Sequence, residues 1–252
     1  MNILRSEWTK LRSVRGTWIA ALSTVAAGTA LSMLGASDIL GTSPADLPAD
    51  WDPTATAFKG FLFAQLVIGM LGALGVTSEY ATGTIGTSLT VVPSRSRLLA
   101  AKTAVVAAVA LATGLVTTLV SFTAVQVMVS GAGLPAAGVG DPGVLGAMVG
   151  GTVYLALIAL IGVAVGVLTR STAGSLGVLV GATLLVPAIA PGLPGAIGDW
   201  FARYWPVTAG QAAYTVIPAD GTVAPGLGLG VLAMAAAGVV IAGHTALCVR
   251  DI

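Results

Sequence analysis

A single histidine, His244, and a single cysteine, Cys248, leave this chain with little catalytic chemistry. An HExxH zinc site needs two imidazoles one helical turn apart and is excluded, and one lone base argues against a His-dependent triad. His244 falls toward the end of the last apolar run, where a packed or interfacial role is expected. One thiol supports neither a disulfide framework nor a cysteine metal site. No GxxxxGK(S/T) segment occurs, so nucleotide phosphates are not cradled here in the P-loop manner. If ATP drives this protein, another polypeptide binds it. The chain itself is expected to be non-catalytic and free of cofactors.

The remaining polar chemistry concentrates in residues 78–102, a stretch wedged between two apolar runs in a chain where 8% of residues are charged. Glu79 and Tyr80 come just past the first of these runs, and Gly83-Thr84 can start or cap a short helix. Ile85, Leu89 and Val92 then recur at four- and three-residue spacing, which predicts one apolar stripe, ended by Pro93 and followed by Arg95 and Arg97. An amphipathic helix of this kind is a knob for a groove on a partner protein. The plainer alternative is a solvated loop whose arginines only enforce topology.

The elements that must carry this segment are membrane helices. A mean hydropathy of +0.97 with 56% apolar residues does not fit a water-soluble globule, about a quarter of whose residues carry charge. A bilayer core of about 30 Å takes about 20 apolar residues per helix. Six runs meet that length or approach it, near residues 17–36, 60–77, 103–130, 143–168, 174–190 and 226–247. The third and fourth exceed it and should tilt or project beyond the lipid. The fifth is short and meets Pro187 and then Pro191, where a helix kinks or stops. The continuous Ala/Val/Leu/Gly runs lack the ten-residue alternation of a β-barrel.

Lys and Arg flanking membrane spans stay preferentially in the cytoplasm. Six spans gather Arg5, Lys10, Arg12, Arg15, Arg95, Arg97, Lys102, Arg170 and Arg250 on one side. Seven aspartates face Lys59 and Arg203 on the other. Both termini and residues 78–102 are therefore expected to be cytoplasmic. The first apolar run is nearer a full span than a signal-peptide core and is expected to be retained.

Before that run, Leu4, Trp8, Leu11 and Trp18 recur at helical spacing among Arg5, Lys10, Arg12 and Arg15. This predicts an amphipathic helix over residues 1–16 lying in the interface, or else an ordinary basic flank. Residues 191–225 hold Trp200, Phe201, Tyr204, Trp205 and Tyr214 among prolines and glycines, a density that fits the membrane interface and a broken or re-entrant helix entering the outer leaflet, or else a plain external loop. Gly146 to Gly150, Gly162 to Gly166 and Gly177 to Gly181 are GxxxG pairs, expected first in intramolecular packing and second in a dimer seam. No Asp, Glu, Lys or Arg falls near a predicted midplane, where ion-coupled carriers place such groups. Gln65, Gln126 and Tyr154 are the candidates for a translocation path, with interhelical hydrogen bonding the first expectation for the glutamines.

Two segments resemble the permeases of ABC-2-type ABC transporters, particularly actinobacterial ones. They are Glu7-Trp8-Thr9-Lys10-Leu11-Arg12-Ser13-Val14-Arg15 with its Trp-containing first span, and the loop with Glu79-Tyr80, Gly83-Thr84-Ile85, Thr87-Ser88-Leu89, Pro93, Arg95, Arg97 and Lys102. The chain's length and six-span layout agree with that family along its whole extent. Family members often carry arginines where this chain has Ala81 and Gly86, which moves the charge-assisted part of docking onto Arg95 and Arg97.

The resemblance implies an all-α single transmembrane domain over residues 1–252 in the bacterial inner membrane. In that family the loop after the second span is a coupling helix that docks into an ATPase subunit carrying ATP and Mg, and a short external helical hairpin, residues 191–225 here, precedes the last span. It implies two permease copies, surrounding lipid, no nucleic acid partner and an export role. A path lined by small apolar residues favours drugs, peptide antibiotics or lipids as cargo. The rival readings are a passive channel or secondary carrier and, behind it, a lipid-acting membrane enzyme.

Overall fold

The computed structural model describes residues 3–84, 94–219 and 221–249, and among these the chain is helical. Six of its helices are long and apolar enough to cross a membrane: α2 (Arg15–Ser37), α4 (Phe61–Ala81), α5 (Arg95–Gly131), α6 (Val144–Thr169), α7 (Thr172–Gly192) and α10 (Pro225–Val249). A shorter helix, α1 (Ile3–Ser13), precedes them, and α3 (Pro53–Ala57) lies between the first two spans. Two further helices, α8 (Gly195–Tyr204) and α9 (Pro206–Gln211), fill the segment before the last span. The expected six-span, all-α architecture is the one observed.

Two boundaries differ from the sequence expectation, and both matter for the site. Polarity placed the end of the second span at residue 77, yet α4 runs on through Glu79 and Tyr80 to Ala81. Its stop is Gly83, whose φ of +70° is the left-handed setting that glycine supplies after a helix C-terminus. Gly83 therefore closes α4, and helix resumes at Thr84, the last described residue on this side of the loop. At the other side of the loop, Leu98 N–H already bonds Ser94 O, and α5 begins at Arg95. Its 37 residues span about 55 Å at 1.5 Å per residue, so its first turns project beyond the lipid. A helix needs satisfied backbone groups, not apolar side chains, once it leaves the hydrocarbon.

The fifth span also differs. Pro187 does not stop it; α7 absorbs the missing N–H in a π-helical turn over Gly181–Leu185 and continues to Gly192.

The core is organised by α4 against α6, and glycine sets the distance between them. A Cβ on Gly162 would fall 1.9 Å from Gly69 O, and one on Gly72 would fall 2.0 Å from Ala159 O. The Gly162 to Gly166 pair is thus an intramolecular seam, as is Gly150 against Ala213. Gly177 and Gly181 have nothing within 4 Å of an added Cβ and take no part in packing within the subunit.

At the end of the bundle opposite the chain termini, hydrogen bonds replace glycine contacts. Asp52 Oδ1 accepts from Thr54 and Ala55 N–H, capping α3, while Oδ2 accepts from Val216 and Ile217 N–H at 2.7 and 2.9 Å. Gln126 donates to Pro53 O and accepts from Ala137 N–H. Phe58, Phe61, Tyr154 and Tyr214 pack beneath with ring centroids 5.0 to 6.1 Å apart.

Replacing Gly162 by alanine should cost on the order of 1–3 kcal/mol through overpacking, read as a lowered thermal midpoint of the purified protein in detergent. Gly177→Ala, into open space, should leave the midpoint unchanged or slightly higher.

Candidate functional site

The chain has two glutamates, Glu7 and Glu79, and the fold brings them to one place. Glu7 is the buried residue of α1, and Glu79 lies in the last turn of α4. Lys102, two turns into α5, reaches both. Its Nζ is 2.8 Å from Glu7 Oε2 and 2.6 Å from Glu79 Oε1. Lys10 closes the circuit, 2.7 Å from Glu7 Oε1 and 3.2 Å from Glu79 Oε1. The result is a ring of alternating charge, Glu7, Lys10, Glu79, Lys102, with zero net charge.

Three of its members are buried: Glu7 and Lys102 are 3% and 4% exposed, and Glu79 is 9% exposed. Lys102 sits against an apolar crevice formed by Val76, Leu98, Leu99, Val167 and Leu247. Buried ions at this depth are tolerable only when paired. A mismatch of one charge here is costly, whereas Lys10, with a side chain 43% exposed, carries the weaker, solvent-screened side of the ring.

The pairing shows in the ionisation of the α1 groups. Burial raises the Glu7 carboxyl, but hydrogen bonds and charge from Lys10 and Lys102 outweigh it, leaving the pKa below the ordinary value. Burial lowers the Lys10 ammonium, and Glu7 and Glu79 outweigh that and raise it. Glu79 Oε2 is buried with no hydrogen-bond partner.

Further contacts join the same end of the bundle. Arg170 closes α6 in a left-handed setting, φ 52°, and its guanidinium lies 5.5 Å from the centre of the Tyr80 ring. Arg95 donates to Leu247 O at 2.7 Å, satisfying a carbonyl at the C-terminus of α10. Ser96 Oγ and His244 Nε2 are 2.8 Å apart, which makes His244 a packed interhelical residue.

The candidate residues thus divide. Glu79, Tyr80 and Arg95 face neighbouring helices, Arg97 is exposed, Gly83 makes the turn after α4 and Thr84 is already helical. Ile85, Leu89, Val92 and Pro93 lie outside the described residues. In α1 Leu11 packs against the core, while Leu4, Trp8 and Arg12 are exposed, as is Arg15 at the start of α2. Trp18 Nε1 donates to Arg12 O and fixes the bend into α2.

The translocation-path candidates are fully engaged within the subunit. Tyr154 O–H donates to Gln65 Oε1, and Gln65 Nε2 donates to Leu62 O and Thr183 O. Gln126 binds the backbone of two connecting loops, at Pro53 and Ala137. Sequence reasoning used Glu7 and Lys102 only in the family-like segments and, for Lys102, in the charge partition, and made neither a site residue. The available signal was that both glutamates of the chain flank apolar runs on the lysine-rich side, while seven of the aspartates lie on the other.

Lys102→Met leaves two buried carboxylates with one exposed partner, so it should cost about 3–5 kcal/mol and lower the thermal midpoint far more than Lys10→Met. The depressed Glu7 pKa contributes stability that is present above the ordinary value of about 4.3 and is lost as pH falls through the folded value. The raised Lys10 pKa contributes stability present below about 10.4 and lost as pH rises through its folded value. The midpoint should therefore plateau between about pH 5 and 10, and Glu7→Gln should shrink the drop on the acid side.

Comparison with curated proteins found no match. The family model described as "ABC-2 family transporter protein" matches residues 3–186, which include α1, the ring, the loop and the first five spans as far as the π-helical turn. By that match over most of its length, the chain belongs to the ABC-2 transporter family of membrane proteins.

Proposed function

We propose that this chain is the permease subunit of an ABC-2-type exporter of the bacterial inner membrane, with both termini and residues 82–94 cytoplasmic. A separate P-loop ATPase supplies ATP hydrolysis and docks on that segment, and two permease copies form the complete transporter. The cargo is a hydrophobic or amphiphilic molecule such as a drug, peptide antibiotic or lipid. Family membership supports the transport role.

The observation that carries the coupling reading is the position of the ring. Glu79 stands at one base of the segment and Lys102 near the other, and both bind Glu7 on α1. A push on the segment therefore cannot move α4 without α5 and α1. Salt bridges in water would transmit little, but a buried pair resists separation because each parted ion would lose several kcal/mol of compensation. Arg97 on the exposed start of α5, with Arg12 and Arg15, gives the same end a basic surface for a partner. On the lipid side, exposed Leu4 and Trp8 of α1 suit an interfacial helix.

Co-expression of the chain with the P-loop ATPase of its operon, followed by affinity purification, should recover a stable complex. Deleting residues 83–89 should abolish recovery or lower coupled ATP hydrolysis by at least about tenfold, equivalent to about 1.4 kcal/mol. The reading fails if no P-loop ATPase is recovered and the purified chain alone supports flux into liposomes.

A further inference from the structure

At the π-helical turn of α7, side chains from elsewhere bond two backbone carbonyls of the helix. Within the turn, Val186 N–H bonds Gly181 O five residues back. The next residue, Pro187, has no N–H to offer. Ala182 O instead accepts from Trp205 Nε1 at 2.7 Å, and Thr183 O accepts from Gln65 Nε2 at 3.3 Å. Both donors are themselves held. Gln65 is fixed by Leu62 O and the Tyr154 hydroxyl. The Trp205 ring stacks on Phe201 at 5.6 Å, at the break between α8 and α9.

The rest of α7 is loosely held. Leu176, Val178, Leu185 and Ile189 are each 45% exposed or more. Gly181 has open space around it. The inner half is anchored by Thr172 to Thr77 at 3.0 Å and by Leu179 against Gly69. The outer half, beyond the turn, has no buried side chain from Leu185 to Ile189.

We propose that the turn over Gly181–Leu185 is a hinge in the fifth span, and that Trp205 and Gln65 are its positioning residues. Their two hydrogen bonds set the angle between the inner and outer halves. Because Trp205 belongs to the segment before the last span and Gln65 to α4, the hinge ties the external helices to the core of the subunit. When Trp205 withdraws, Ala182 O is orphaned and the outer half is free to swing until another donor is found. The hinge is a property of the permease alone and stands or falls independently of ATPase docking.

The test is the spin-label distance distribution between Leu176→Cys and Ile189→Cys in a Cys248→Ala background, with the purified chain in lipid nanodiscs. Trp205→Phe keeps the ring and removes the N–H; it should broaden the distribution about twofold or shift it. Pro187→Ala restores an N–H to the ladder and should narrow it to one peak. The double variant should match Pro187→Ala. If Trp205→Phe fails to fold, Gln65→Leu carries the same expectation. An unchanged distribution in Trp205→Phe, or equal broadening with and without Pro187, would overturn the hinge.

Discussion

Lys102 enters the bundle among Leu98, Leu99 and Ala101, and an ammonium placed there must find counter-charge within reach or be lost from the fold. Two carboxylates answer it, from α1 and from α4, and Lys10 balances the surplus negative charge. This requirement explains why a helix as short and polar as α1 folds back against the bundle. Its inward face offers Leu11 to the core and Glu7 to the ring, while Leu4 and Trp8 stay outside. The ring also accounts for helices that overrun the hydrocarbon at this end, since Glu79 and Lys102 meet only because α4 and α5 continue past the lipid-facing residues.

Rigidity elsewhere comes from other physics. In the middle of the bundle, glycine lets the backbones of α4 and α6 touch, which maximises dispersion contacts where apolar burial gives no advantage over lipid. At the far end, Asp52 and Gln126 bind loop backbone and close the connecting segments over an aromatic layer. The fifth span is the exception among these, held by borrowed donors rather than by packing. A subunit built this way has a stiff unit, α1 with α4, α5 and α6, and one span able to change shape beside it.

The number, order and class of helices were legible because hydropathy over twenty residues integrates many small preferences. The bounds of α4 and α5 were not, because polarity marks where lipid ends rather than where the helix ends; Gly83 was the better signal. Pro187 left kink and stop both open for a related reason: a proline removes one donor, and whether the helix survives depends on Trp205 and Gln65, which lie far away in sequence. The apolar stripe of α1 was visible in Leu4, Trp8 and Leu11, but periodicity weights Glu7 as a polar interruption. Only a fold that brings residues 7, 79 and 102 together reveals it as the inward face. Arg95, expected to greet a partner, instead satisfies the end of α10, since a helix C-terminus within reach is itself an acceptor.

The central claim is that the ring makes α1, α4 and α5 one body at the base of the segment between α4 and α5. The direct measurement is the distance between spin labels at Arg12→Cys on α1 and Arg97→Cys on α5, in the Cys248→Ala background and the assembled complex. It is read without nucleotide and with ATP trapped by vanadate. The account predicts one narrow distance that is the same in both states and that broadens when Lys102 is replaced by methionine. A wild-type distance that shifts with nucleotide, or one indifferent to the loss of Lys102, would contradict it.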